Sequence, residues 1–315
     1  MLCAMETERY VTSFDGTKLY TSSIGQGPAI ILCDGLGCAG YIWKYLKQAL
    51  VGRHQLISWN YRGHGHSARP AHPEALGISA LRADLTAVID SYGLDEAILF
   101  GHSMGVQVIL EFALHLPQRT RALVPICGSY GRPLDTLHGH GRVGKLFPLL
   151  RHVMLNYPAS GQRVWRQILR SKAAYAFASR FEVNGKLVAL ADFRPYFEHL
   201  CAMDVGIFVQ LLERLQEHTV EPRLGEIKAP TLIIGGERDS FTPGWLSRRM
   251  SQLIDQSELM IVPGGSHITP IEIPELVALR IERFLERRVM TASELQTLPK
   301  LLQSGNAPAA GGGGA

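Results

Sequence analysis

From Arg9 to Cys127, short apolar runs alternate with segments of helical period. Arg9–Phe14 and Lys18–Ser23 alternate apolar and polar residues at period two around Asp15-Gly16, which predicts a β-hairpin. Ala29–Cys33 is a continuous apolar run, as expected of a strand buried on both faces. The pattern then predicts a helix at Tyr41–Leu50, a strand at His54–Asn60 and a helix at Ile78–Tyr92, with apolar positions at Leu81, Leu85, Val88 and Ile89. A second buried strand, Ala97–Phe100, leads into a helix from Ser103 to Leu116 that Pro117 ends, and Arg121–Cys127 reads as another strand.

The alternation then stops. From Ser129 to Gly225 the periodicity is helical, clearest at Trp165–Leu169, Ala174–Phe181 and Phe193–His218, with almost no strand signal. Strand–helix order resumes with Thr231–Ile234, a helix near Pro243–Ile254, the strand Leu259–Val262 and a helix at Pro274–Arg287. Such alternation predicts an α/β fold with a mostly parallel central sheet covered by helices on both faces. The expected organisation is a core of residues 8–128 and 226–288, with 129–225 inserted as a helical lid. From Thr291 the chain turns polar and ends in the Gly/Ala run Ala309–Ala315, so 291–315 reads as a disordered tail.

Composition narrows the class. Among 315 residues, 46% are hydrophobic and 19% charged, enough apolar chain for a sizeable core and unlike disordered or collagen-like sequences. The net charge of +4 is scattered, with no Lys/Arg run longer than a dipeptide, so no nucleic-acid partner is expected. Cys3, Cys33, Cys38, Cys127 and Cys201 are odd in number and lack metal-ligand spacing, which predicts reduced thiols in a cytoplasmic protein and no metal site. Glu6, Glu8 and Arg9 interrupt any N-terminal apolar stretch, and no apolar run nears the ~20 residues of a membrane helix. Neither a signal peptide nor a membrane span is expected.

The strongest chemical signal is Gly101-His102-Ser103-Met104-Gly105, placed directly after a buried strand and opening a helix. A tight strand-to-helix turn of this kind strains the serine backbone and exposes its hydroxyl, and the flanking glycines let neighbouring backbone pass close by. A serine hydroxyl needs a base, and the base needs an orienting acid. Asp239 follows the strand Thr231–Ile234 in Glu237-Arg238-Asp239, and His267 follows Leu259–Val262 in Pro263-Gly264-Gly265-Ser266-His267. Ser103, Asp239 and His267 therefore fall just past three strand ends on one rim, in the order such an elbow expects. Glu237 competes as the acid, while His64, His66 and His102 lie near the rim within turn motifs. The loop Cys33-Asp34-Gly35-Leu36-Gly37 would bring the Leu36 N–H beside that of Met104 to hold a developing oxyanion.

These segments, with Tyr61-Arg62-Gly63-His64-Gly65-His66-Ser67 and Gly236-Glu237-Arg238-Asp239, make the chain resemble the α/β-hydrolase superfamily, in its branch of serine esterases and lipases with a helical cap. The resemblance spans about residues 9–287, and no specific motif covers the cap. Two positions depart from the family pattern. Asp34 stands where the family usually has His, and Asn60 where it usually has Asp. An ionised Asp34 would oppose negative charge at the oxyanion unless paired, with Arg62 as the expected partner.

Serine at the elbow, where the family's epoxide hydrolases and haloalkane dehalogenases resembling this fold carry Asp, implies acyl transfer without a cofactor. The expected partner is a small-molecule ester with an apolar acyl group. Gly35, Gly37, His102, Phe197 and Phe208 are the expected substrate contacts, with Phe177, Phe181, Tyr196, Met203 and Leu211 as further lid positions. The alternatives are the same triad acting on a thioester, lactone or C–C bond, an acyltransferase, a cofactor-free haloperoxidase, or a non-catalytic ligand receptor.

Overall fold

A computed structural model describes residues 6–137, 142–171, 174, 184, 185, 187, 188 and 190–297. Eight strands form one sheet: β1 (Thr7–Thr12), β2 (Lys18–Ile24), β3 (Ala29–Cys33), β4 (Gln55–Trp59), β5 (Ala97–His102), β6 (Thr120–Ile126), β7 (Thr231–Gly236) and β8 (Ser257–Val262). Their order is β1-β2-β4-β3-β5-β6-β7-β8. The hairpin forms as the period-two pattern predicts, with Thr12 paired to Lys18 across the turn. β1 and β2 are antiparallel to their neighbours, and the strands from β4 to β8 pair in parallel.

Parallel strands need crossover helices, and these bury both faces of the sheet. One apolar layer joins Ile31, Leu99 and Leu123 to helices α2 (Ile78–Ser91) and α3 (Met104–His115). The other joins Ile30, Phe100 and Ile234 to α1 (Lys44–Leu50) and to the helix Pro274–Arg288. All six residues of β5 and of β7 are buried, which explains their unbroken apolar character. β6 and β7 are adjacent although the whole segment from Ser129 to Gly225 lies between them in sequence.

Within that segment the described structure is helical, apart from an isolated bridge between Gly131 and Thr219. Helices α4 (Pro133–Thr136), α5 (Arg142–Asn156) and α6 (Pro158–Leu169) precede the helices Leu190–Ala202 and Val205–Glu217. The stretch of helical spacing Phe193–His218 falls in two helices. Asp204 stops the first and caps the second, its side chain accepting from the Ile207 N–H at 3.0 Å. The expected helix Ala174–Phe181 lies, apart from Ala174, outside the described residues. The tail expected from Thr291 begins with a short helix at Ala292–Thr297, anchored by Glu294 on Arg121 at 2.5 Å.

Candidate active site

Ser103 sits between β5 and α3 with φ 54° and ψ −114°, a backbone conformation that L-residues rarely adopt. Its surroundings enforce the turn. A Cβ on Gly105 would lie 2.1 Å from the Cys33 carbonyl oxygen, and one on Gly101 would lie 2.5 Å from that of Gly105. Only glycine lets the chain pass so close on both sides of the serine. Met104 is the first residue of α3, so its N–H has no carbonyl one turn earlier to bond to.

Asp239 follows β7 and is buried, while His267 follows β8 and its loop. His267 Nδ1 lies 3.1 and 3.0 Å from the two Asp239 carboxylate oxygens. The same carboxylate accepts from the Phe241 N–H at 2.9 Å, from the Thr242 N–H at 2.8 Å and from the Thr242 hydroxyl at 2.7 Å. Burial alone would raise the Asp239 pKa. The electrostatic pull of His267 and the hydrogen bonds from His267 and Thr242 outweigh it and hold the group below the usual carboxylate range. An Asp kept ionised there fixes the imidazole ring and leaves Nε2 as its free end.

Ser103 and His267 both line one cavity of about 570 Å³. Its walls are mostly apolar and include Leu36, Leu134, Phe147, Phe208, Leu212 and Phe241. No hydrogen bond joins the Ser103 hydroxyl to His267 among the described residues, and such contacts commonly tighten only once substrate is bound.

Of the expected contacts, Gly35, His102 and Phe208 line the cavity, as do the expected oxyanion donors Leu36 and Met104. Gly37 and Phe197 are not among the described lining residues. A Cβ on Gly37 would collide with Leu200 of the helix Leu190–Ala202, and Phe197 stacks edge-on to Phe193 against the core. Tyr196 lines the cavity, whereas Met203 and Leu211 face apolar clusters instead. Phe177 and Phe181 lie outside the described residues.

The rival groups have other partners. Glu237 is exposed and accepts from the Gly264 N–H at 2.9 Å. His64 is buried with Nδ1 3.2 Å from the Arg62 carbonyl, and His66 is exposed with its ring against Tyr20. His102 is buried, its Nε2 2.9 Å from the His267 carbonyl oxygen, and burial together with His267 lowers its pKa to about 3. A neutral His102 thus supports the His267 backbone.

Arg62 does not pair with Asp34. It forks onto Asp84 at 2.7 and 2.5 Å and reaches Asp15 at 2.8 Å, all in the interior beneath the hairpin. Asp34 instead accepts from the Gly40 N–H at 2.7 Å, and its other oxygen is buried without a hydrogen-bond partner among the described residues. Burial pushes its pKa up to about 7 against the pull of Gly40 and Trp43, so below that pH the loop carries no full negative charge. Asn60 fills its departing position structurally, accepting from the His66 N–H at 3.0 Å. The motif pattern does not single out Thr242 or Phe241, whose ring lies 4.8 Å from that of His267. The Ser240–Pro243 turn that follows Asp239 is the sequence signal that points to them.

Among the described residues no helix is long and apolar enough to cross a membrane, and no cluster of His, Cys, Asp or Glu could hold a metal ion. A sequence model described as alpha/beta hydrolase fold matches residues 28–274. The "Putative carbamate hydrolase RutD" of Azorhizobium caulinodans is 25% identical over 258 residues, covering 82% of this chain and 91% of that one. An esterase (EaEST) from Exiguobacterium antarcticum superposes with TM-score 0.70 at 18% identity, covering 89% of this chain and all of the other. A bromoperoxidase from Bacillus anthracis superposes with TM-score 0.73 at 16% identity, over 89% of this chain and 100% of its own.

Proposed function

Because this chain belongs to the alpha/beta hydrolase family, we propose that it is a serine hydrolase cleaving carboxylic esters of small to medium apolar acyl groups. The observation that carries this reading is Ser103 on its strained elbow, sharing one apolar cavity with His267, whose ring is paired to the buried Asp239. In this reading His267 Nε2 takes the Ser103 proton as Oγ attacks the ester carbonyl. The N–H groups of Leu36 and Met104 stabilise the oxyanion, where one well-placed donor is worth ~3–4 kcal/mol. His267 then protonates the leaving alcohol, and water, activated by the same imidazole, hydrolyses the acyl-enzyme and restores Ser103. Asp239 holds the ring and balances its transient charge.

The near-neutral pKa of Asp34 fits this reading, since a protonated carboxyl beside the oxyanion loop does not oppose the charge that forms there. The RutD relative's name raises the carbamate carbonyl as a substrate for the same groups, and a panel of esters, thioesters, lactones and carbamates separates these. Ser103→Ala should lower kcat on p-nitrophenyl acyl esters by roughly 10⁴-fold or more while leaving the fold intact. Unchanged turnover would overturn the proposal.

A further inference from the structure

One polar side chain in the cavity has no place in the chemistry just described. Gln107 lies one helical turn beyond Ser103 on α3, about 6 Å further along the axis. It is 2% exposed, yet it lines the cavity among Leu134, Leu212 and Leu215. Its carboxamide oxygen lies 2.8 Å from His218 Nδ1, and His218 Nε2 lies 3.2 Å from the Glu111 carboxylate. The hydrogen bond from His218, against the opposing effect of burial, holds Glu111 below the usual carboxylate range, so it can only accept. Glu111 and the Gln107 oxygen are both acceptors, so the ring between them donates from both nitrogens, Nε2–H to Glu111 and Nδ1–H to the oxygen end of the amide. The nitrogen end of Gln107 donates to no partner among the described residues.

Two neighbouring polar groups in the wall are engaged elsewhere. Ser129 donates to the Gly131 carbonyl at 3.1 Å, and Thr242 donates to Asp239. An all-alkyl acyl chain lying against this wall would leave the Gln107 N–H groups facing hydrocarbon. A buried donor left unpaired is disfavoured by tenfold or more.

We propose that Gln107, positioned by His218 and Glu111, forms a subsite that selects acyl chains bearing a hydrogen-bond-accepting oxygen a few bonds from the scissile carbonyl. A carbonyl, hydroxyl or ether oxygen would satisfy it. Gln107 is the specificity-determining group, while His218 and Glu111 are positioning residues. The inference rests on the hydrolase reading for its choice of the acyl side, and it deepens that reading by naming the substrate class.

The test compares p-nitrophenyl 4-oxo- and 5-oxohexanoate with p-nitrophenyl hexanoate in the full-length protein. The parent should favour at least one oxo ester by tenfold or more in kcat/KM. Gln107→Met, close to isosteric, should reduce that preference to below threefold, slowing the oxo ester and, with no donor left unpaired, speeding hexanoate. Gln107→Asn, which keeps the amide but shortens its reach, should lose the preference as well. His218→Phe should lower it partially, through KM more than kcat. No preference in the parent, or equal losses on both esters in Gln107→Met, would overturn the subsite.

Calorimetric binding of 5-oxohexanoate and hexanoate to the Ser103→Ala variant gives a readout without turnover. Tighter binding of the oxo acid that disappears in Ser103→Ala/Gln107→Met supports the subsite even if neither ester is hydrolysed, an outcome that would sink the hydrolase reading alone. Equal binding of the two acids counts against the subsite whatever the turnover.

Discussion

Ser103 and Asp239 follow strands in which every residue is buried, whereas the helices inserted between β6 and β7 leave Leu146, Leu149 and Tyr157 each more than 60% exposed. The rim is held by backbone passing within van der Waals contact of backbone and by the Asp239 carboxylate, which joins Phe241, Thr242 and His267. These helices pack around a small cluster of Leu134, Phe147, Met154, Val205 and Val209. Ser103 and His267 therefore sit where small displacements are costly, and the cavity walls supplied by the inserted helices sit where they can be exchanged. Gln107 belongs to the first kind of region and faces the second, which suits a group that reads the substrate.

The largest effect that would sharpen this contrast is at Asp34. A carboxyl whose folded pKa is raised from 3.8 to about 7 stabilises the folded state fully below pH ~4 and loses that contribution as pH rises through about 7. A carboxyl raised that far costs the folded state about 4 kcal/mol once it ionises. Asp34→Asn keeps an acceptor for the Gly40 N–H and does not ionise, so it should gain on the parent by several degrees of Tm between pH 5 and pH 8. Parallel stability curves for the two proteins would show that the rim does not hold Asp34 as described.

Paired glycine substitutions break the comparison more directly. Gly105→Ala places a methyl 2.1 Å from the Cys33 carbonyl oxygen, so backbone must move, and the expected loss is ~3 kcal/mol or more with activity falling alongside. Gly161→Ala in α6 meets the Met154 sulfur at 2.8 Å, the end region of a flexible side chain, and gains helix propensity. Its stability should stay within ~1 kcal/mol of the parent. Chemical denaturation of both variants checks the difference, and similar losses would mean that rim and lid are equally rigid.

Much of the rim is legible in the sequence because its signals are local. The apolar runs that form β3, β5 and β7, the Gly101–Gly105 turn, and the short loops carrying Asp239 and His267 each announce themselves within a few residues. The lid is less legible. Pro148 lies inside α5 and obscures its periodicity, and Asp204, an N-cap set between two apolar stretches, merges on periodicity alone into one long helix. Arg62 points to the wrong partner because its true one, Asp84, is brought to it by α2 packing beneath the hairpin, which no local pattern encodes. The Gln107–His218 contact joins α3 to the end of the lid across 111 positions. Only a polar residue set between Val106 and Val108 in an apolar stretch marks it in the sequence.

The central claim is that Ser103 is the nucleophile, activated by His267. Its most direct test is intact-mass and peptide mapping after treatment with a fluorophosphonate. One adduct per chain is expected, located on Ser103, absent in Ser103→Ala and formed much more slowly in His267→Ala. Labelling that persists in Ser103→Ala, or ester turnover that proceeds with Ser103 unmodified, would contradict it.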